Sequence, residues 1–260
     1  MSDLQQTTPI KNAIEVKGLV SRFGTQTVHD GLSFEVRRGE ILGVVGGSGT
    51  GKTVLLRTII GLQQPAAGDI TLLGEKVRWD GSTTAKLAGC FGMLFQDGAL
   101  FSALTVGQNI EVPMRERGDI PHGLMDELAR LKVELVGLPP NATNKYPSQL
   151  SGGMKKRAGL ARALSLDPEV IFLDEPTAGL DPIGAAAFDD LILDLRAALG
   201  LTVVMVTHDL DSLARICDRI AVLVDKQMVT GTMAELTVNP HPWIQNYFHG
   251  PRARAAFEMA

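Results

Sequence analysis

Hydrophobic and polar positions alternate near the start of the chain, weakly from Ile14 to Leu19 and clearly from Leu32 to Val36. A period of two sends successive side chains to opposite faces, so this stretch predicts an N-terminal sheet. After a turn at Arg37-Arg38-Gly39-Glu40 the pattern changes. Ile41-Leu42-Gly43-Val44-Val45 is apolar throughout, as a strand buried on both faces must be. It runs into Gly46-Gly47-Ser48-Gly49-Thr50-Gly51-Lys52-Thr53, and Val54 to Ile60 then reads as a helix stopped at Gly61. Gln63 to Gly74, with Pro65 and Gly68, reads as a loop and a returning strand; Gly92 to Phe95 is a short apolar strand ending at Gln96.

From Asp97 to Asp167 the pattern is helical, for example over Gly123 to Val136, with breaks at Pro139-Pro140 and Pro147. Val170-Ile171-Phe172-Leu173 returns to the sheet and meets Asp174-Glu175-Pro176. Ala185 to Leu199 has helical spacing, Leu201 to Val206 is a buried strand ending at Thr207-His208, and Ile220 to Thr230 predicts a last hairpin. The expected organisation is an α/β core over residues 1–96 and 168–238, with the N-terminal sheet attached. A helical insertion spans 97–167 and a tail spans 239–260, where Trp243 and Phe248 offer packing surface. The pattern contains no internal repeat and no second glycine loop of this kind.

Composition narrows the picture in two ways. A formal net charge of −4 gives no electrostatic case for binding a nucleic-acid backbone. No apolar run approaches the ~20 residues a membrane helix needs, and the first dozen residues carry no apolar signal core. The expectation is a cytosolic chain whose membrane work goes through a partner. Cys90 and Cys217 are isolated and lack ligand spacing, as small buried thiols in a reducing compartment do.

The chemistry lies where strands end. Strand, glycine loop and helix is the context a phosphate-binding loop requires. The backbone N–H groups of Gly47 to Thr53 can curl around phosphates only if side chains stay out, and the following helix points its positive end at the same place. Lys52 supplies a mobile ammonium for the terminal phosphates of ATP, and Thr53 a hydroxyl for Mg²⁺. Asp174 ends an apolar strand, so its carboxylate reaches the metal shell; Glu175, one position on, is placed to take a proton from an attacking water. Three residues read two ways on their own. Gln96 is an ordinary strand-end amide or a contact for Mg²⁺ and the lytic water. His208 is a structural histidine or a donor to the γ-phosphate. Phe23, in Arg22-Phe23-Gly24, is a core residue or a face for adenine to stack on.

Gly46 to Thr53, Gln96, Leu150-Ser151-Gly152-Gly153-Met154, Asp174-Glu175 and His208, in this order, resemble the nucleotide-binding subunit of an ABC transporter over nearly the whole chain. The resemblance implies a P-loop NTPase fold: a RecA-like core with an N-terminal antiparallel β-subdomain and an inserted helical subdomain. It makes Phe23 the adenine-stacking aromatic, Asp174 and Glu175 the metal-binding acid and catalytic base, Gln96 the residue of the loop that senses nucleotide, and His208 the switch histidine. Ala178-Gly179-Leu180-Asp181 resembles the loop that reaches the neighbouring subunit. Ser151-Gly152-Gly153 would cap the γ-phosphate bound by that neighbour, so that two ATPs join a homodimer. Met154 stands where Gln is usual in the family.

Met154 with Lys155-Lys156-Arg157, the stretch Phe95-Gln96-Asp97-Gly98-Ala99-Leu100-Phe101, and the tail residues Asn239 to Gln245 and Gly250 to Arg254 are similar to the ATPase of Mla/Mce-type phospholipid transporters. Asp174 to Asp181 follows the general ABC pattern, which leaves open a broader Mce-type system or another importer. The resemblance implies an integral membrane permease dimer, a periplasmic Mce-domain lipid-binding ring and a small STAS-like cytosolic accessory as partners. The chain would sit peripherally on the cytoplasmic face of the inner membrane. The permease would press a short helix near Gln96 and Asp97 to Leu104, where Leu100, Phe101 and Leu104 are either contacts or core. A soluble ABC ATPase acting on nucleic acid would carry two cassettes, coiled-coil arms or zinc-binding cysteines. A P-loop kinase would need an acceptor other than water.

Overall fold

The computed structural model describes residues 11–82, 87 and 89–250, so the polar start of the chain and Pro251 to Ala260 of the tail lie outside the described residues. Two sheets organise the rest. The first has the order β2-β1-β4-β5, built from β1 (Asn12–Phe23), β2 (Gln26–Arg37), β4 (Ala67–Leu72) and β5 (Glu75–Lys76), all antiparallel. Alternation has its expected outcome there: Ile14, Val16, Leu19, Leu32 and Val36 are buried. Strand β1 runs on to Phe23, beyond the stretch the pattern marks. Register shifts between Val16 and Leu19 and between Leu19 and Ser21 break the period of two, which is what hides the second half from the sequence.

The second sheet has the order β10-β9-β3-β8-β7-β6, from β3 (Ile41–Gly46), β6 (Phe91–Leu94), β7 (Val170–Asp174), β8 (Thr202–Val206), β9 (Arg219–Val224) and β10 (Gln227–Gly231). Neighbours are parallel except for β10, which closes the edge as a hairpin with β9. Strand β3 is apolar throughout because both faces are covered. Leu42 and Val44 join the core beneath the N-terminal sheet, with Leu55, Leu56 and Ile59 of α1 (Lys52–Ile59); Ile41 joins the core on the other side.

Between β6 and β7 lie α2 (Val106–Arg117), α3 (His122–Leu135) and α4 (Gly152–Ala163), with short 3₁₀ turns at Pro140–Asn144 and Pro147–Gln149. The prolines that break the helical pattern start those turns. The apolar residues of these helices share one core with α5 (Pro182–Leu199). A third core, around Val45, Val222 and Leu213, holds α6 (Leu210–Ile216), α7 (Met233–Thr237) and α8 (Pro242–His249); Phe248 is buried in it. Among the described residues no helix is long and apolar enough to cross a membrane. Cys90 and Cys217 are free and half-buried, and burial pushes the Cys217 thiol far up, where it is unreactive.

Candidate active site

The glycine loop leaves β3 at Gly46 and enters α1 at Lys52. Its glycines answer to space as well as to backbone angle. A side chain on Gly46 would come within 2.7 Å of the Leu223 carbonyl. Gly51, at φ 101°, would drive one into Val28 and to 2.7 Å from His29 Nε2. Lys52 Nζ donates to the carbonyls of Gly46 at 2.8 Å and Gly47 at 3.0 Å, and Thr50 Oγ1 donates to Gly47 at 2.9 Å. The loop therefore holds its own cation on its own carbonyls. Burial lowers the Lys52 pKa, while Glu175 and Asp174 push it back up.

Parallel register brings the other candidates to the same edge. Val44 pairs with Val206, and Val206 with Asp174, so β3, β8 and β7 end on one row. The chain continues from β7 into Glu175, whose N–H donates to the Val206 carbonyl at 2.8 Å. Glu175 is held at φ 49°, a left-handed conformation costly for a residue with a side chain, and this turn aims its carboxylate. His208 Nδ1 lies 2.8 Å from Glu175 Oε2; the histidine side chain is largely exposed and the glutamate largely covered. Burial and then the neighbouring Glu175 raise the Asp174 pKa, opposed by Lys52 and Arg57. Gln96 is exposed just past the end of β6, on the far side of β7.

Ser151, Gly152, Gly153 and Asp181 belong to a different surface. Ser151 caps α4 by accepting from the Met154 N–H at 3.3 Å, and Asp181 caps α5 by accepting from the Gly184 N–H at 2.9 Å. A side chain on Gly152 would meet nothing, and Ser151, Gly152 and Asp181 are exposed. Among the described residues no hydrogen bond or ion pair joins any of them to the glycine loop. Phe23 stands at the tip of the β1–β2 hairpin, 48% exposed, so it is a free aromatic face and not a core residue.

The family model described as ABC transporter matches residues 29–178. The chain belongs to the ABC transporter family. It is 38% identical over 93% of its length to the intermembrane phospholipid transport system ATP-binding protein MlaF of Escherichia coli, covering 90% of that protein. It is 37% identical over 94% of its length to the "Probable ribonucleotide transport ATP-binding protein mkl" of Mycobacterium leprae, covering 71% of it. Among solved structures, a dimeric ATP-binding cassette in a post-hydrolysis state bound to ADP and Pi superposes with a TM-score of 0.76 at 28% identity, covering 85% of this chain and 98% of that one. CbiO1 of Clostridium perfringens, part of the ABC transporter complex cbiONQ, superposes with 0.80 at 27% identity, over 96% and 99%. This ABC protein is thus the ATP-binding, ATP-hydrolysing subunit of a transporter.

Two features of this ABC ATPase escape its sequence pattern. Lys156 on α4 is buried, and its Nζ donates to the carbonyls of Gln96 and Glu175, each at 2.9 Å. One ammonium so ties the helix after Ser151 to two of the site's loops; its position on the buried face beside Leu160 was the available signal. Trp243 and Tyr247 of α8 stack at 5.0 Å, and the Trp243 Nε1 lies 3.9 Å from where a Gly47 side chain would be. The tail helix thus backs the glycine loop, a contact no local pattern announces.

Proposed function

We propose that Phe23 stacks on adenine, that Gly46 to Thr53 hold the phosphates, and that Glu175 is the base that takes a proton from the attacking water. His208 would leave Glu175 and donate to the γ-phosphate, and Gln96 would orient the water and report nucleotide to the permease. Thr53, Asp174 and Gln96 offer oxygen ligands, and Asp174 is a partly buried carboxylate whose pKa stays raised although Lys52 and Arg57 oppose the shift. This donor set fits Mg²⁺, which supplies charge neutralisation at the phosphates when bound. The chain's own contribution is to hold Glu175 in its left-handed turn and Lys52 on the loop.

One observation carries the rest: Ser151, Gly152 and Asp181 are exposed at capped helix starts, with Gly153 partly so, and among the described residues none of them is bonded to its own subunit's glycine loop. We read them as the second half of an ATP site completed in a homodimer. Support comes from the dimeric cassettes that this chain resembles.

The cargo reading is phospholipid transport between membranes of the Mla/Mce type, supported by the MlaF proteins of Escherichia coli and Haemophilus influenzae at 38% and 39% identity. The partners would be a permease dimer, an Mce-domain lipid-binding protein and a STAS-like accessory, with the chain peripheral on the cytoplasmic face of the inner membrane. A groove of about 370 Å³ beside Gln96, lined by Phe91, Met93, Phe95, Phe101, Pro113 and Leu166, offers the permease an apolar seat. To test this, the chain is tagged in its host, membranes are solubilised in mild detergent and the co-purifying proteins identified. A permease with an Mce-domain protein and bound phospholipid is the expected result. A permease with a solute-binding protein overturns the cargo, and a chain recovered alone or with nucleic acid overturns the transport role.

A further inference from the structure

Helix α5 is capped by Asp181, and α6 begins two residues beyond His208, capped by Asp209 accepting from the Asp211 N–H at 3.0 Å. The two helices pack together and are linked by side chains at two depths. At the surface, Arg215 donates to Asp190 at 2.6 Å and to the Ala186 carbonyl at 3.4 Å. Beneath, Ser212 Oγ donates to Asp189 Oδ2 at 2.8 Å, with Asp189 3% and Ser212 1% exposed. The other oxygen, Asp189 Oδ1, is buried without a hydrogen-bond partner.

That arrangement is expensive. Burial pushes the Asp189 carboxyl up to about 6; Asp209 and Asp190 push the same way, and Ser212 and Arg215 oppose them. The Cys217 thiol also lies within its field. Replacing both partners of such a pair by apolar groups is commonly neutral or stabilising, so packing alone does not call for a carboxylate here. What does stand out is the position. The bond joins the helix led by the residue that faces a second subunit to the helix led by the switch histidine.

We propose that Asp189 and Ser212 form a positioning pair that makes α5 and α6 move as one body, so that a shift of His208 toward ATP in its own subunit repositions Asp181 at the neighbour's ATP. The inference rests on the two-subunit site proposed for this ATPase. Neither residue touches nucleotide; both act through the helices they join. Their loss should uncouple the two sites while leaving each able to bind ATP.

The test is steady-state ATP hydrolysis by the purified full chain across ATP concentrations, with nucleotide affinity and thermal melting measured alongside. Wild type should give a Hill coefficient above 1, approaching about 2 for two coupled sites. The paired substitution Asp189→Val with Ser212→Ala should keep or raise its melting temperature and keep its ATP affinity. Its Hill coefficient should fall to about 1 and its kcat by about threefold to thirtyfold, the range of coupling mutations. Ser212→Thr keeps the hydroxyl and should retain cooperativity. A double variant with wild-type kcat and Hill coefficient overturns the proposal. If the double variant does not fold, Ser212→Ala against Ser212→Thr decides: equal behaviour overturns it, loss confined to alanine supports it. A wild type that hydrolyses ATP without cooperativity brings down the two-subunit reading and the pair with it. Cooperativity in wild type and variant alike brings down the pair alone.

Discussion

His208 Nδ1 and Glu175 Oε2 stand 2.8 Å apart at the ends of neighbouring strands. On the roles proposed above, His208 stands where the water of Glu175 would sit, and Glu175 where the phosphate of His208 would sit. On the roles proposed for them, ATP would have to separate the two before a base and a γ-phosphate donor exist. Both residues follow strands paired at Asp174 and Val206.

Glu175→Gln keeps the shape of the side chain and its contact to His208 but removes the base. ATP turnover should fall by roughly 10²–10⁴-fold while ATP affinity is retained. Radiolabelled phosphate release with parallel binding measurements checks it; near-normal turnover would remove Glu175 from the role.

Lys156→Met retains the buried stem and deletes the ammonium that bridges the Gln96 and Glu175 carbonyls. Two carbonyls lose a donor, so stability should drop by about 1–3 kcal/mol. Because the Glu175 turn is loosened, kcat should fall while the apparent ATP affinity holds. Denaturant unfolding and steady-state kinetics measure the two parts; equal losses in affinity and kcat would place Lys156 outside the catalytic geometry.

Asp189 gives a pH dependence with a definite sign. Its carboxyl rises from an ordinary 3.8 to about 6, so the folded chain holds that proton more tightly than the unfolded chain. The stability this lends is complete below about 4 and is lost as pH climbs through about 6. The loss amounts to on the order of 2–3 kcal/mol. Asp189→Asn should therefore stabilise the protein at pH 7 to 8 and leave it unchanged near pH 4, as read from melting temperatures across that range. A variant equally destabilised at both ends would show that hydrogen bonding, not burial of charge, dominates there.

Much of the fold and the site is legible in the chain itself. Runs without polar interruption, such as Ile41 to Val45 and Val170 to Leu173, read as covered strands, and each leads directly into candidate site residues. The row formed by Gly46, Asp174 and His208 comes from strand ends alone, because parallel strands present their carboxyl ends together. Other features depend on distance in space. Lys156 meets Gln96 and Glu175 across a helix and two loops, and Trp243 reaches Gly47 from far along the chain. Asp189 on α5 is buried where α6 brings Ser212 against it, a contact between helices that the chain pattern does not announce. Local periodicity carries no information about such partners. The bulges in β1 hid half a strand for a related reason: they shift the phase of the alternation without ending the pairing.

The shared site is tested most directly by mass. The chain weighs 27.8 kDa, and Glu175→Gln should bind ATP without discharging it. Light scattering of that variant should show monomer alone and dimer once ATP and Mg²⁺ are added. Adding Ser151→Arg to the same chain should leave each subunit binding ATP but keep it monomeric, because the arginine occupies the place of the partner's phosphate. A Glu175→Gln chain that binds ATP and stays monomeric, or a double variant that still dimerises on ATP, would contradict the two-subunit site.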